Sequence, residues 1–144
     1  MTVRNLITLG HLLGEQRLTG LASRTLERYG PHIGRAVRVM PLMVANIALW
    51  HGGATQIVIA GATDADDTRA LEAEVSRHHM PWAVVIPVSG VSRTPTLPWL
   101  GAMAPRDGKA TAYVCSDFTC QAPVTDPEEL RVQLEALVRG KRVG

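Results

Sequence analysis

Two cysteines are the residues whose type and spacing first suggest chemistry in this chain of 144 residues. Cys115 and Cys120 lie within residues 107–130, DGKATAYVCSDFTCQAPVTDPEEL. Residues 110–116 predict a β-strand, and a turn after that strand would let the two sulfurs approach each other. A thiolate with a second thiol in reach can act as a redox switch. One hypothesis is therefore a thiol-based redox protein that uses Cys115 and Cys120.

The same two cysteines also have a structural interpretation. Cys115 can be a small apolar core residue, and Cys120 can pack beneath the following loop. The sequence contains no Cys-x-x-Cys, and its first residues lack the pattern of a signal peptide. Thiols of proteins that are not exported are mostly reduced. We therefore expect two reduced thiols in preference to a disulfide, and no metal site, because four ligands are hard to assemble.

The remaining polar clusters have explanations that need no catalysis. The five histidines show no metal-ligand spacing. Asp64, Asp66 and Asp67 fall in the first turn of a predicted helix, where carboxylates cap free N–H groups and favour the helix dipole. The sequence thus predicts no cofactor and favours a non-catalytic role, while leaving the question of enzyme activity open.

Loops that follow the predicted strands support a third hypothesis, a small-ligand binder. In an open parallel sheet, the loops at the carboxyl ends of the strands share one edge, where ligands tend to bind. No glycine-rich phosphate motif is present, so ordinary turns are the alternative. The candidate ligand-binding residues are Gly61, Thr63, Ser89, Gly90, Ser116 and Asp117.

The first part of the chain predicts three helices. Apolar spacing predicts helices over residues 3–13 and 18–29, the second of them ended by Gly30 and Pro31. The third helix, residues 41–50, is apolar nearly all round, as is typical of a helix buried on several sides. We therefore predict that the helices of residues 3–50 mediate a homo-oligomer or bind a partner protein.

The second part of the chain alternates strands and helices. Residues 57–60, 82–88 and 110–116 predict strands. Asp126 is the predicted N-cap of the last helix, with Pro127 at its first position. Such alternation predicts an α/β fold with a three-stranded parallel sheet and flanking helices. The predicted division is a helical segment, 1–52, followed by an α/β unit, 53–144.

Charge and hydropathy exclude several classes of protein. The net charge is +2, from 15 Lys+Arg and 13 Asp+Glu, which is too small a basic field for a nucleic-acid binder. No apolar run approaches the roughly 18 residues of a membrane-spanning helix. We expect no nucleic acid and no membrane as partners, and a cytoplasmic location.

The segment 110–130, ATAYVCSDFTCQAPVTDPEEL, resembles the end of a thioredoxin-domain family once catalogued as a domain of unknown function. That family includes the spermatogenesis-associated protein and bacterial YyaL-type proteins. Three shorter segments extend the resemblance: HLLGEQRL at 11–18, QIVIAG at 56–61 and DTRAL at 67–71.

The resemblance implies a particular domain plan. Members carry an N-terminal thioredoxin-like domain, then a six-hairpin α/α toroid similar to glycosidases and sugar epimerases, and an α/β segment near the end. On this comparison, residues 1–52 are a helical-hairpin remnant of the toroid, and the thioredoxin domain is absent. The family's redox or carbohydrate chemistry is then not expected here. A structural or interaction module that self-associates is the leading hypothesis.

Overall fold

A computed structural model of the chain describes residues 3–35, 37–89, 95–116 and 119–142. The chain forms two compact units, Met1–Ala54 and Thr55–Gly144. The division lies two residues beyond the boundary predicted from the sequence.

The described residues of the first unit form three helices: α1 (Val3–Leu13), α2 (Gln16–Arg35) and α3 (Pro41–Gly52). Gly14, with a φ of 67°, makes the turn between α1 and α2. The two helices approach closely at Gly10, where an added Cβ would lie 2.6 Å from Cγ2 of Thr19. Their shared core consists of Val3, Ile7, Ala22 and Leu26, with Met43, Ile47, Leu49 and Trp50 of α3 packed against it.

The prediction that α2 ends at Gly30 and Pro31 is wrong, because the helix continues to Arg35. Proline removes one backbone hydrogen bond from a helix interior. Ile33 is buried in the additional turn. The continued helix therefore removes the apolar side chain of Ile33 from water. A helix that ended earlier would leave this side chain exposed.

In the second unit, the part of the chain that the structure describes combines a sheet with two helices and a short 3-10 helix. Its elements are β1 (Thr55–Ala60), α4 (Asp66–Ser76), β2 (Ala83–Val88), the 3-10 helix Pro98–Ala102, β3 (Thr111–Ser116), β4 (Thr119–Cys120) and α5 (Pro127–Arg142). The α/β class predicted from the sequence is confirmed.

The sheet is mixed and four-stranded, in the order β2-β1-β3-β4. β1 and β2 are parallel, but β3 runs antiparallel to β1, and β4 antiparallel to β3. The prediction of three parallel strands is therefore wrong. Val88 and Thr111 both pair with Ala60, so β2 ends and β3 begins at the same end of the sheet. A parallel third strand would have to begin at the opposite end of the sheet, which requires a crossover connection.

Both faces of the sheet are covered. α4 and α5 pack on one face, where Leu71, Leu130 and Leu134 are buried against Ile57 and Ile59. On the other face, Leu100 and Met103 pack against Val58, Tyr113 and Cys115. β1 lies between these two layers, as its continuous run of β-branched residues predicts.

The last helix begins as its sequence predicts. The backbone N–H of Glu128 donates a hydrogen bond of 2.8 Å to Oδ1 of Asp126, which is therefore the N-cap. Pro127 occupies the first helical position, where its missing N–H has no partner to lose.

Candidate functional site

The two cysteines face each other across the β3–β4 hairpin and form a disulfide. The expectation of two reduced thiols is therefore wrong. The antiparallel register sets Cys115 opposite Cys120 and Ser116 opposite Thr119, which leaves only residues 117 and 118 between the two strands. Side chains of directly opposed residues lie close together on one face of a hairpin. The pairing thus follows from the register of the strands.

The two halves of the disulfide have different surroundings. Cys115 is only 3% exposed and belongs to the core layer that contains Val58 and Tyr113. Cys120 lies on the edge strand and is exposed, so the expectation that it packs beneath the loop is wrong. One sulfur is therefore attached to a core residue and the other to a surface residue.

Hydrogen bonds hold the hairpin independently of the disulfide. The N–H of Gln121 donates to the carbonyl oxygen of Val114 at 2.9 Å. Ala112 and Val124 exchange two backbone hydrogen bonds of 2.8 and 3.1 Å. From α5, Nε2 of Gln133 donates to the carbonyl oxygen of Ala122 at 2.8 Å. The chain after Cys120 is thus fixed to β3 and to α5.

The residues predicted to bind a small ligand do not form one cluster. Gly61 and Ser89 follow the carboxyl ends of the parallel strands β1 and β2, and the N–H of Gly61 donates to the carbonyl oxygen of Val88 at 2.9 Å. Ser116 pairs with Thr55 at the opposite end of β1, because β3 is antiparallel. Thr63 is exposed. Gly90 and Asp117 lie outside the described residues, and ligand binding at this edge stays a prediction.

Gly61 has a packing role in this arrangement. A Cβ added there would lie 2.3 Å from Oγ1 of Thr68 and 2.9 Å from Cβ of Ala110. The absence of a side chain therefore lets α4 and the start of β3 approach the end of β1. The space beside Gly61 is filled by protein atoms.

The aspartates at the start of α4 differ in their roles. Ala65 is the N-cap residue and makes no side-chain capping bond. Asp67 accepts hydrogen bonds from the N–H of Thr68 at 2.9 Å and from the N–H of Ala110 at 2.7 Å. The bond from Ala110 is the largest influence on the pKa of Asp67, which lies below its ordinary value. The sequence favours helix capping for this residue, but its longer-range contact joins α4 to the residue before β3.

A buried carboxylate near the end of α4 was not singled out from the sequence. Glu74 is 3% exposed, and its oxygens lie 2.7 Å from Nη1 of Arg77 and 3.1 Å from Nε2 of His78. Burial raises the pKa of Glu74, but the hydrogen bonds from His78 and Arg77 outweigh it, so the net pKa is lowered. The three- and four-residue spacing from the last turn of α4 into the residues after it is the signal that predicts these contacts.

The described residues contain no group of three or more His, Cys, Asp or Glu side chains placed to hold a metal ion. Over the same parts of the chain, no helix has the length and apolar character needed to cross a membrane.

In comparison with known proteins, this sequence matches one segment of a larger protein. It is 32% identical to human spermatogenesis-associated protein 20, in an alignment that covers 91% of this chain and 17% of the human protein. The mouse and rat proteins of the same name are 30% and 31% identical over the same shares. The chain is similar to part of spermatogenesis-associated protein 20. It spans about one sixth of the length of each relative, because each alignment covers 17% of the relative's sequence.

No family model matches the sequence, and no solved structure matches it. The resemblance noted in the sequence is thus supported for spermatogenesis-associated protein 20, and membership of the wider thioredoxin-domain family stays a prediction.

Proposed function

We propose that the chain is a non-catalytic interaction module that self-associates through α3, and that it derives from the thioredoxin-domain family described above. One observation carries the self-association. α3 has no charged residue between Pro41 and Trp50, yet Leu42 is 71% exposed. A contiguous apolar surface exposed to water supports a contact with another protein.

The two sides of α3 differ in their packing. Met43, Ile47 and Trp50 recur at helical spacing and pack against the core of α1 and α2. Leu42 and Ala45, on the other side, are exposed. The residues that lead into the helix extend this apolar surface, because Val39 is 80% exposed.

A second copy of the chain is the partner that this surface suits best. Leu42, Ala45 and Ala48 recur every three positions and are all exposed, so they form one apolar side of α3. Two copies of α3 packed antiparallel bring the two Ala45 side chains near the symmetry axis, with leucines on both sides. Such a contact is self-complementary, as a two-fold interface requires. The small alanines allow close approach of the helices, and the antiparallel arrangement aligns their dipoles favourably.

The test is the solution mass of the full chain, measured by light scattering after size exclusion. Wild type is expected at twice the monomer mass of 15.6 kDa or above. Leu42→Arg is expected to be a monomer, because it places a charge in the seam. Val132→Arg is the matched control, because Val132 is also an exposed apolar helix residue, at 62%. A monomeric wild type, or equal masses for both variants, would contradict the proposal.

A thiol-based redox role is the second candidate, and the disulfide between Cys115 and Cys120 favours it. The pair differs from a thioredoxin-type dithiol, which occurs as Cys-x-x-Cys beside a βαβ unit. The βαβ unit of this chain, residues 55–88, contains no cysteine. A redox role would therefore use the hairpin itself.

A further inference from the structure

We propose that Cys120 is the sulfur at which an external small thiol opens the disulfide, so that the β3–β4 hairpin is a site of reversible S-thiolation. This inference rests on the redox candidate and is independent of self-association. It assigns different roles to the two cysteines. Cys120 receives the incoming thiol, and Cys115 is the leaving and resolving thiol.

Access to the two sulfurs decides this assignment. A thiolate must approach the attacked sulfur from the side opposite the bond that breaks. For Cys115 that approach leads through the core layer of Val58 and Tyr113. Cys120 stands on an edge strand between Thr119 and Gln121, and all three residues are exposed. Only Cys120 therefore offers an open approach.

The chemistry needs only a small-molecule thiol as co-reactant. Its thiolate attacks Sγ of Cys120, a new sulfur–sulfur bond forms, and the electron pair of the broken bond leaves on Cys115, which takes a proton from water. A second thiolate can then attack the bound small thiol, releasing Cys120 as a thiolate and the small molecule as its disulfide. Alternatively, Cys115 attacks Cys120 and expels the small thiol, which restores the original disulfide.

The structure favours this return reaction. Cys115 lies directly opposite Cys120 in the register, and the bonds from Gln121, Val124 and Gln133 hold the hairpin when the disulfide is open. The mixed disulfide should therefore be short-lived in wild type and accumulate when Cys115 is removed.

A disulfide that serves only to stabilise the fold fits the site less well. The two cysteines are separated by only 5 positions in the sequence. The stabilisation that a cross-link gives through the unfolded chain falls as the closed loop shortens. A loop this short gives less of this stabilisation than a long loop would, and it keeps the two thiols close together when the disulfide is open.

The experiment uses the full chain as wild type, Cys115→Ser and Cys120→Ser, each treated with glutathione disulfide and followed by intact mass. Both variants lose the disulfide and keep one thiol, so they are matched. Native Cys115→Ser is expected to gain one glutathione at least roughly tenfold faster than native Cys120→Ser, because buried thiols are unreactive. In urea the two rates should become similar. Equal native rates, or a faster Cys120→Ser, would overturn the assignment to Cys120.

A second arm tests the redox candidate itself. Native wild type in reduced glutathione is expected to lose its disulfide and to regain it when glutathione disulfide is then added as the oxidant, with unchanged far-ultraviolet circular dichroism. A disulfide that resists glutathione until the protein unfolds would overturn the redox candidate and the exchange together. The comparison of the two variants identifies which sulfur is accessible in either case.

Discussion

The carboxylate of Asp67 accepts a hydrogen bond of 2.7 Å from the backbone N–H of Ala110, 43 positions later in the sequence. This bond joins the first turn of α4 to the residue that precedes β3. It is also the largest cause of the lowered pKa of Asp67. The folded chain therefore favours the charged form of this side chain.

Asp67→Asn is expected to lower the free energy of unfolding at neutral pH, because it removes the charged acceptor. A lowered pKa in the folded state means that the stabilisation is complete above the unfolded-state pKa and is lost as pH falls through the folded-state pKa. The difference between wild type and variant should therefore shrink in acid. Urea unfolding at a series of pH values measures it.

Asp66→Asn is the control for this prediction, since it makes the same change of charge in the same helical turn. It should lower the free energy of unfolding by less, because it removes a charge from the helix N-terminus but not the bond to Ala110. A pH-independent difference for Asp67→Asn, or an equal effect of the two substitutions, would show that the bond to Ala110 does not have the role described.

Gly61→Ala is expected to destabilise the chain by about 1–3 kcal/mol, the usual cost of overpacking a filled site. The new Cβ would meet Oγ1 of Thr68 at 2.3 Å. Gly140→Ala in α5 is the control, because a Cβ there meets nothing within 4 Å. That change should stabilise the helix by up to roughly 1 kcal/mol. Two substitutions with effects of the same sign in urea unfolding would contradict the close packing at Gly61.

Glu74→Gln is expected to destabilise the chain by about 1–3 kcal/mol at neutral pH, because the hydrogen bonds of a buried carboxylate lose their charge. The pKa of Glu74 is lowered on balance, so its contribution should also be lost as pH falls through the folded-state pKa. Thermal unfolding at neutral and acidic pH measures both effects. Glu72→Gln, two positions earlier on α4, is the control and should be nearly neutral. A Glu74→Gln chain as stable as wild type would mean that the cost of burying the carboxylate offsets both bonds.

Local sequence signals predicted the elements that depend on nearby residues. The N-cap at Asp126 needs only the three residues that follow it, and it is present. The β-branched run of residues 57–60 indicated a strand covered on both sides, and Ile57 and Val58 are fully buried. The apolar pattern of residues 3–13 predicted both ends of α1, Val3 and Leu13.

The direction of β3 could not be read from its own residues. An antiparallel and a parallel strand with both faces covered have the same apolar pattern, and the connection before the strand decides between them. Because β3 begins beside Ala60, Ser116 lies far from Gly61 along the sheet. The predicted cluster of ligand-binding residues depended on the wrong direction of this strand.

The disulfide was missed for a different reason. The expected cellular location favours reduced thiols, whereas the antiparallel register of β3 and β4 sets Cys115 opposite Cys120. The contact of Asp67 with Ala110 had no local signal, because it depends on packing between distant segments.

A cysteine placed at Ala45 tests the self-association through α3 most directly. The native cysteines are joined to each other, so Ala45→Cys has one free thiol per chain. A short bis-maleimide should link it into a covalent dimer, because the antiparallel contact brings the two position-45 side chains together. Val132→Cys, exposed on α5, is the control and should stay monomeric on a denaturing gel. A monomeric Ala45→Cys chain, or equal cross-linking of the two variants, would contradict the account.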